Sequence, residues 1–192
     1  MRSLSGMAAF IVLSLLVAPV VGYLQENQKQ SRTENADVPG PAHERLGDLA
    51  GTWDVVIHYK LGDKEHEGKA SCEAKWILDG RFLQQDYKSR FQGKPFEVVQ
   101  LLGYDSVGKK SIEIKLDNLS TGIMHNEGSI SDDGKVITNF GTSLDPATGK
   151  PYKLRTVTTI VDHDHFTLEW FGTEEGGKES RVVSMSHTRK KS

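Results

Sequence analysis

From Thr52 to Arg189 the sequence is a run of short segments rich in Val, Ile, Thr and aromatic residues, each followed by a cluster of Gly, Asp, Asn or Pro. Apolar and polar residues alternate within most segments, a period of two that belongs to strands with one buried face. The segments fall at about 52–60, 66–77, 81–91, 95–104, 109–116, 121–130, 135–141, 151–161, 165–172 and 179–189. Their separators read as turns: "LGDKE", "LDG", "QGKP", "DSVGKK", "DNLS", "SDDGK", "DPATGKP", "DHD" and "TEEGGKE". Connections this short favour antiparallel neighbours joined as hairpins. No helix-length segment interrupts the series. As an open sheet it would expose two strand edges, and closure removes both. The expected fold class is therefore all-β, an antiparallel up-and-down β-barrel of about ten strands. With roughly eight strands or more, a barrel can hold one small ligand.

The first part of the chain has a different character. Arg2 is followed by the apolar run Met7–Val21 and by small residues around Gly22. This reads as a signal peptide over 1–22, its apolar run of 15 residues shorter than the roughly 20 that span a bilayer. An uncleaved anchor is the alternative. No Cys follows the run, so a lipoprotein anchor is not supported. Residues 23–40 are polar and unperiodic and read as a disordered linker. The barrel domain is expected over 41–192. It should open with a short helix from about Pro41 to Ala50: Pro41 suits a first turn, Leu46 and Leu49 lie three apart, and Gly51 can end it. The expected location is exported, periplasmic or extracellular. Membrane contact is expected only through the N-terminal segment, if it is uncleaved.

Composition narrows the partners. The chain has 24 basic and 26 acidic residues, a formal net charge of −2. No basic stripe is present, so no nucleic acid is expected, and Arg189-Lys190-Lys191 reads as a solvated tail. Cys72 is the single cysteine, which excludes an intrachain disulfide. It reads as a small packed residue on a strand. Nothing in the sequence fixes an oligomeric state.

Alternation proposes which side chains face the interior. On the first strand these are Trp53, Val55, Ile57 and Tyr59. On the third they are Leu83, Gln85, Tyr87 and Phe91, and on the eighth Tyr152, Leu154, Thr156, Thr158 and Ile160. The ninth offers Phe166, Leu168 and Trp170, and the last Val183, Met185, His187 and Arg189. On the fifth strand the pattern turns Ile112, Ile114 and Leu116 inward and Glu113, Lys115 and Asp117 outward. The second, fourth and sixth strands read either way. If the first and last strands pair, Trp53 should lie beside Arg189, with the guanidinium on the indole. Gly51, Trp53 and Arg189 then form a structural plug at the helix-covered end.

Several stretches, "GPAHERLGDLAGTWD", "LDGRFLQQDY", "GKPFEVVQLLGYDSVGKK" and "DPATGKPY", together resemble the DUF1579 family, a bacterial group defined as a domain of unknown function. The resemblance covers about residues 40 to 190. The family is similar to the lipocalin and calycin barrels, whose first strand also begins with Gly-x-Trp. The resemblance implies a calycin-like barrel and no established activity.

The chemistry is sparse. Asp162, His163, Asp164 and His165 offer metal-type ligands, but they fall at a hairpin tip, where Asp is favoured for turn geometry, and metal sites need three or four converging ligands. The pair His125 and Glu127 reads as strand side chains, so no metal site is assigned. No Gly-x-Ser-x-Gly elbow, phosphate-binding Gly loop or metalloprotease motif is present, and no catalytic residue is assigned. The interior instead combines apolar walls with a few polar groups, the composition of a ligand pocket. Candidate ligand-binding residues are Gln85, Tyr87, Thr156, Thr158, Met185 and His187. The leading expectation is a module that binds a small, partly apolar molecule. One alternative is a haem-binding or enzymatic barrel using His187 and the interior polar groups. Another is a structural or interaction domain with a filled core.

Overall fold

The computed structural model describes residues 38–62, 64–145, 148–173 and 176–191. The expected signal peptide and most of the expected linker lie outside these residues. The described chain opens with α1 (Pro41–Arg45), which tightens into a 3-10 turn over Leu46–Leu49. Ten strands follow: β1 (Gly51–Leu61), β2 (Lys64–Ile77), β3 (Phe82–Phe91), β4 (Lys94–Asp105), β5 (Lys110–Asp117), β6 (Met124–Ile130), β7 (Val136–Leu144), β8 (Pro151–Asp162), β9 (His165–Thr173) and β10 (Ser180–Arg189). Each pairs antiparallel with the next, and β1 pairs with β10 to close the ring. The fold is thus the up-and-down barrel expected from the hairpin spacing, with a short helix at its N-terminal end.

The helical segment closes one end of the barrel. Leu46, Leu49 and Trp53 are buried together, and the indole Nε1 donates to the Leu49 carbonyl at 3.0 Å. Trp53 lies opposite Arg189 in the β1–β10 register, and the guanidinium sits 4.1 Å from the indole ring centroid, a cation–π contact. The same guanidinium donates to the carbonyls of Asp48, Ala50 and His163 at 2.8, 2.7 and 2.8 Å. It therefore ties the last strand to the end of the helical segment and to the β8–β9 turn. Gly51 makes this possible. Its φ of 127° is open to glycine, and a Cβ there would collide with Arg189 Nη1.

Turn chemistry sets the strand register, and one strand departs from the hydrophobic pattern. In the β4–β5 turn, Asp105 Oδ1 accepts the backbone N–H groups of Val107 and Gly108, both at 2.9 Å. The register that follows pairs Leu102 with Glu113 and Gln100 with Lys115. A slip of one residue would reverse every side chain of the strand. Ser111 and Glu113 consequently point inward, each 1% exposed, and Leu116 is 38% exposed on the outside. The expected inward face of β5 (Ile112, Ile114 and Leu116) is thus corrected. On the outer wall Ile114 lies beside Leu101 and Leu116 beside Val99, so neighbouring apolar side chains shelter one another there.

The faces left open by the sequence are also resolved. Cys72 and Ala74 of β2, Val98, Gln100 and Leu102 of β4, and Asn126 of β6 are buried. His125 lies on the opposite, exposed face.

Candidate ligand-binding site

The barrel interior has three storeys. The lowest is the Trp53 plug, where Phe166 packs edge-on against the indole with ring centroids 4.7 Å apart.

Above it lies a buried polar layer centred on Glu113. Gln100 Nε2 donates to Glu113 Oε1 at 3.0 Å, and Asn126 Nδ2 and Thr156 Oγ1 donate to Oε2 at 3.0 and 2.6 Å. Ser111 hydrogen-bonds Asn139 in the same layer. Burial pushes the Glu113 carboxyl above its ordinary value, against the opposing pull of the Thr156 and Asn126 hydrogen bonds. Gly141 borders this layer because a Cβ there would overlap Asn126 Oδ1.

Tyr87 and His187 form a second buried pair, with the phenol oxygen 3.1 Å from Nε2. The imidazole is stacked on Phe166, ring centroids 3.7 Å apart. Burial lowers the His187 pKa to about 3 and raises that of Tyr87 well above its usual range. Both groups are therefore neutral near neutral pH. Such a pair can orient neighbours, but it is a weak base beside a weak acid. Burial also pushes the Cys72 thiol up to about 12, which removes it as a nucleophile.

The third storey is a cavity of about 330 Å³ at the end away from the helix. That falls at the low end of the roughly 300–1,000 Å³ typical of ligand pockets. Its walls are mainly apolar: Ile57, Phe91, Phe96, Val98, Trp170 and Met185 among others. Space arises because Gly68, Ala70 and Ser89 line it with little side-chain volume. Gln100 and Tyr87 reach the cavity from the polar layer. Lys115 enters from β5, its Nζ 4.9 Å from the Trp170 ring centroid and 2.9 Å from Asp117 Oδ2.

Of the candidate ligand-binding residues, Tyr87 and Met185 line the cavity, whereas Gln85, Thr156, Thr158 and His187 are buried outside its lining. The cavity also brings in Gln100, which alternation left unresolved, and Lys115, which it placed outside. The register of the tight β4–β5 turn is the signal that locates both.

Haem does not fit these residues. Among the described residues, the cavity lining contains no His or Cys, and His187 Nε2 is engaged by Tyr87 with the ring flat against Phe166. At the β8–β9 turn, Asp162 accepts the Asp164 backbone N–H at 2.8 Å and lies 2.8 Å from His165 Nδ1. His125 Nε2 lies 3.6 Å from Glu127, which Lys110 also engages at 2.7 Å. Among the described residues, no group of three or more His, Cys, Asp or Glu is placed to hold a metal ion.

No curated protein matches the sequence. The crystal structure of Rv2717c from M. tuberculosis is similar at 18% identity, with a TM-score of 0.61, covering 80% of this chain and 100% of that one. This is a likeness of fold. A redesigned β-barrel aligns at 13% identity and a TM-score of 0.41, over 77% of this chain and 96% of that one. The family model described as "Protein of unknown function (DUF1579)" matches residues 38–189, and the chain belongs to that family.

Proposed function

We propose that this chain is an exported binding protein that holds one small, largely apolar molecule in the open end of its barrel. The observation that carries the reading is the cavity: aromatic and aliphatic walls around about 330 Å³, with Tyr87 and Gln100 among its few polar lining groups. The chemistry of the interior supports binding over turnover. Its buried imidazole, phenol and thiol are each held by burial in the neutral form, and burial raises the Glu113 carboxyl above its ordinary value. Export rests on the pattern of residues 1–22, and the mass of the chain purified from its own host tests it: loss of that segment is expected.

Titration with naphthol, a neutral aromatic probe, tests the binding. One saturable site is expected, with fluorescence quenching that is reduced in Trp170→Phe. Absence of saturable binding up to the solubility limit of the probe would sink the reading and favour a structural role for the barrel.

A further inference from the structure

The cavity is apolar, yet the charged side chains among its described lining residues have one sign. Among the described residues, Lys60, Arg90 and Lys115 line it, and no Asp or Glu does. Two of these cations are near the mouth and already engaged. Lys60 approaches Glu65 at 3.9 Å, and Arg90 Nη2 donates to the Gly93 carbonyl at 2.6 Å. Lys115 differs, because its side chain is only 14% exposed and its ammonium lies against the Trp170 ring. Pairing with Asp117 uses one of the three N–H donors that an ammonium carries. In the same wall, the Trp170 Nε1–H is buried and has no hydrogen-bond partner among the described residues. Buried donors are nearly always satisfied, so this one calls for an acceptor.

We infer that the occupant is a monoanionic amphiphile: a carboxylate on an aliphatic or aromatic body, its head group at Lys115 and Trp170 and its body against Ile57, Phe96 and Met185. The inference rests on the cavity being a binding site. Asp117 fixes the charge count. The backbone N–H groups of Leu119 and Ser120 hold its Oδ1 at 3.0 Å each, so it keeps its place beside Lys115 when a ligand enters. The Lys115–Asp117 pair is then neutral, and Arg90, which donates to a carbonyl rather than a carboxylate, leaves a modest positive field near the mouth. One negative charge suits that field, whereas a phosphate dianion exceeds it. A cation would meet the Lys115 ammonium at the head-group position. A neutral alcohol can accept from the indole N–H but gains little from the ammonium, and hydrogen bonds to a charged acceptor are roughly twice as strong as neutral ones.

Calorimetric titration of the purified chain with decanoate, decanol and decylamine near neutral pH tests this. Decanoate should bind at least about tenfold more tightly than decanol, a difference of about 1.4 kcal/mol, and decylamine should bind weakest. Lys115→Met should abolish the preference for decanoate over decanol. Asp117→Asn releases the ammonium from its partner and should widen the preference. Equal binding of decanol and decanoate, or an acid preference that survives Lys115→Met, overturns the head-group assignment while the cavity reading stands. Failure of all three probes to bind overturns both.

Discussion

Near the helix, Trp53 lies opposite Cys72 and Arg189. Toward the other end of the same strand, Val55 lies opposite Ala70, and Ile57 opposite Gly68. The backbone ladder is continuous between these levels, so hydrogen bonding does not distinguish them. Side-chain volume does. At the closed end an indole, a phenyl ring and two leucines from the helical segment fill the section. At the open end glycine, alanine and serine leave it empty. Protein interiors pack at a density that forfeits dispersion energy wherever a gap is left. An end that forgoes this packing leaves room for something else, and the end that keeps it carries the stability.

The largest effect should come from removing the plug. Trp53→Ala deletes a fully buried indole, its bond to Leu49 and the surface on which Arg189 stacks. Buried Trp-to-Ala changes cost about 3–5 kcal/mol, and urea unfolding at neutral pH should show a loss of that size. A loss below about 0.5 kcal/mol, the range of an ordinary surface substitution, would mean that the plug is not what holds the barrel closed.

The storey between the two ends is sensitive to pH. His187 has a folded-state pKa of about 3 against an ordinary 6.5, so between those values the unfolded chain binds the extra proton. Its contribution is fully present above pH 6.5 and is lost as pH falls toward 3, at up to about 1.4 kcal/mol per pH unit. Glu113 has the opposite sign. Its folded value is raised from 4.5, so its contribution is present below pH 4.5 and is lost as pH rises through the folded value. The difference between the parent and His187→Gln isolates the imidazole, because Glu113 is common to both. Unfolding free energies from pH 6.5 down to 4.5 should fall less steeply in the variant, by up to about 1.4 kcal/mol per unit. Equal slopes would show that the imidazole can be protonated in place, and the middle storey would then resemble the open end more than the closed one.

These two ends were not equally legible in the sequence. Turn residues and β-branched runs announce ten strands, and Gly51-Thr52-Trp53 with Arg189 announces the plug, because each signal is local or follows from ring closure. β5 is different. Read by hydrophobicity, "SIEIKLD" turns its isoleucines inward, yet the Asp105 turn fixes a register that buries Glu113 instead. What makes that burial tolerable is spread over three other strands, as Gln100, Asn126 and Thr156. A donor set of that kind has no signature in any single segment. Lys115, two residues on, shares the same face and was hidden by the same inversion.

The smallest effect on stability, paired with a large effect on binding, should come from the open end. Ala70 lines the cavity and packs opposite Val55 and Ser89, so a longer side chain there has empty space to enter. In a filled core, added methylenes typically cost about 1–3 kcal/mol. Ala70→Leu should instead stay within about 0.5 kcal/mol of the parent, the scatter of a neutral change, while lowering naphthol affinity at least about tenfold, or 1.4 kcal/mol. A stability loss of core size would show that the space is taken up by packing in solution. Unchanged probe affinity would place the binding site elsewhere. Either outcome would erase the contrast between the ends, because the upper storey would then be one more packed layer of the same barrel.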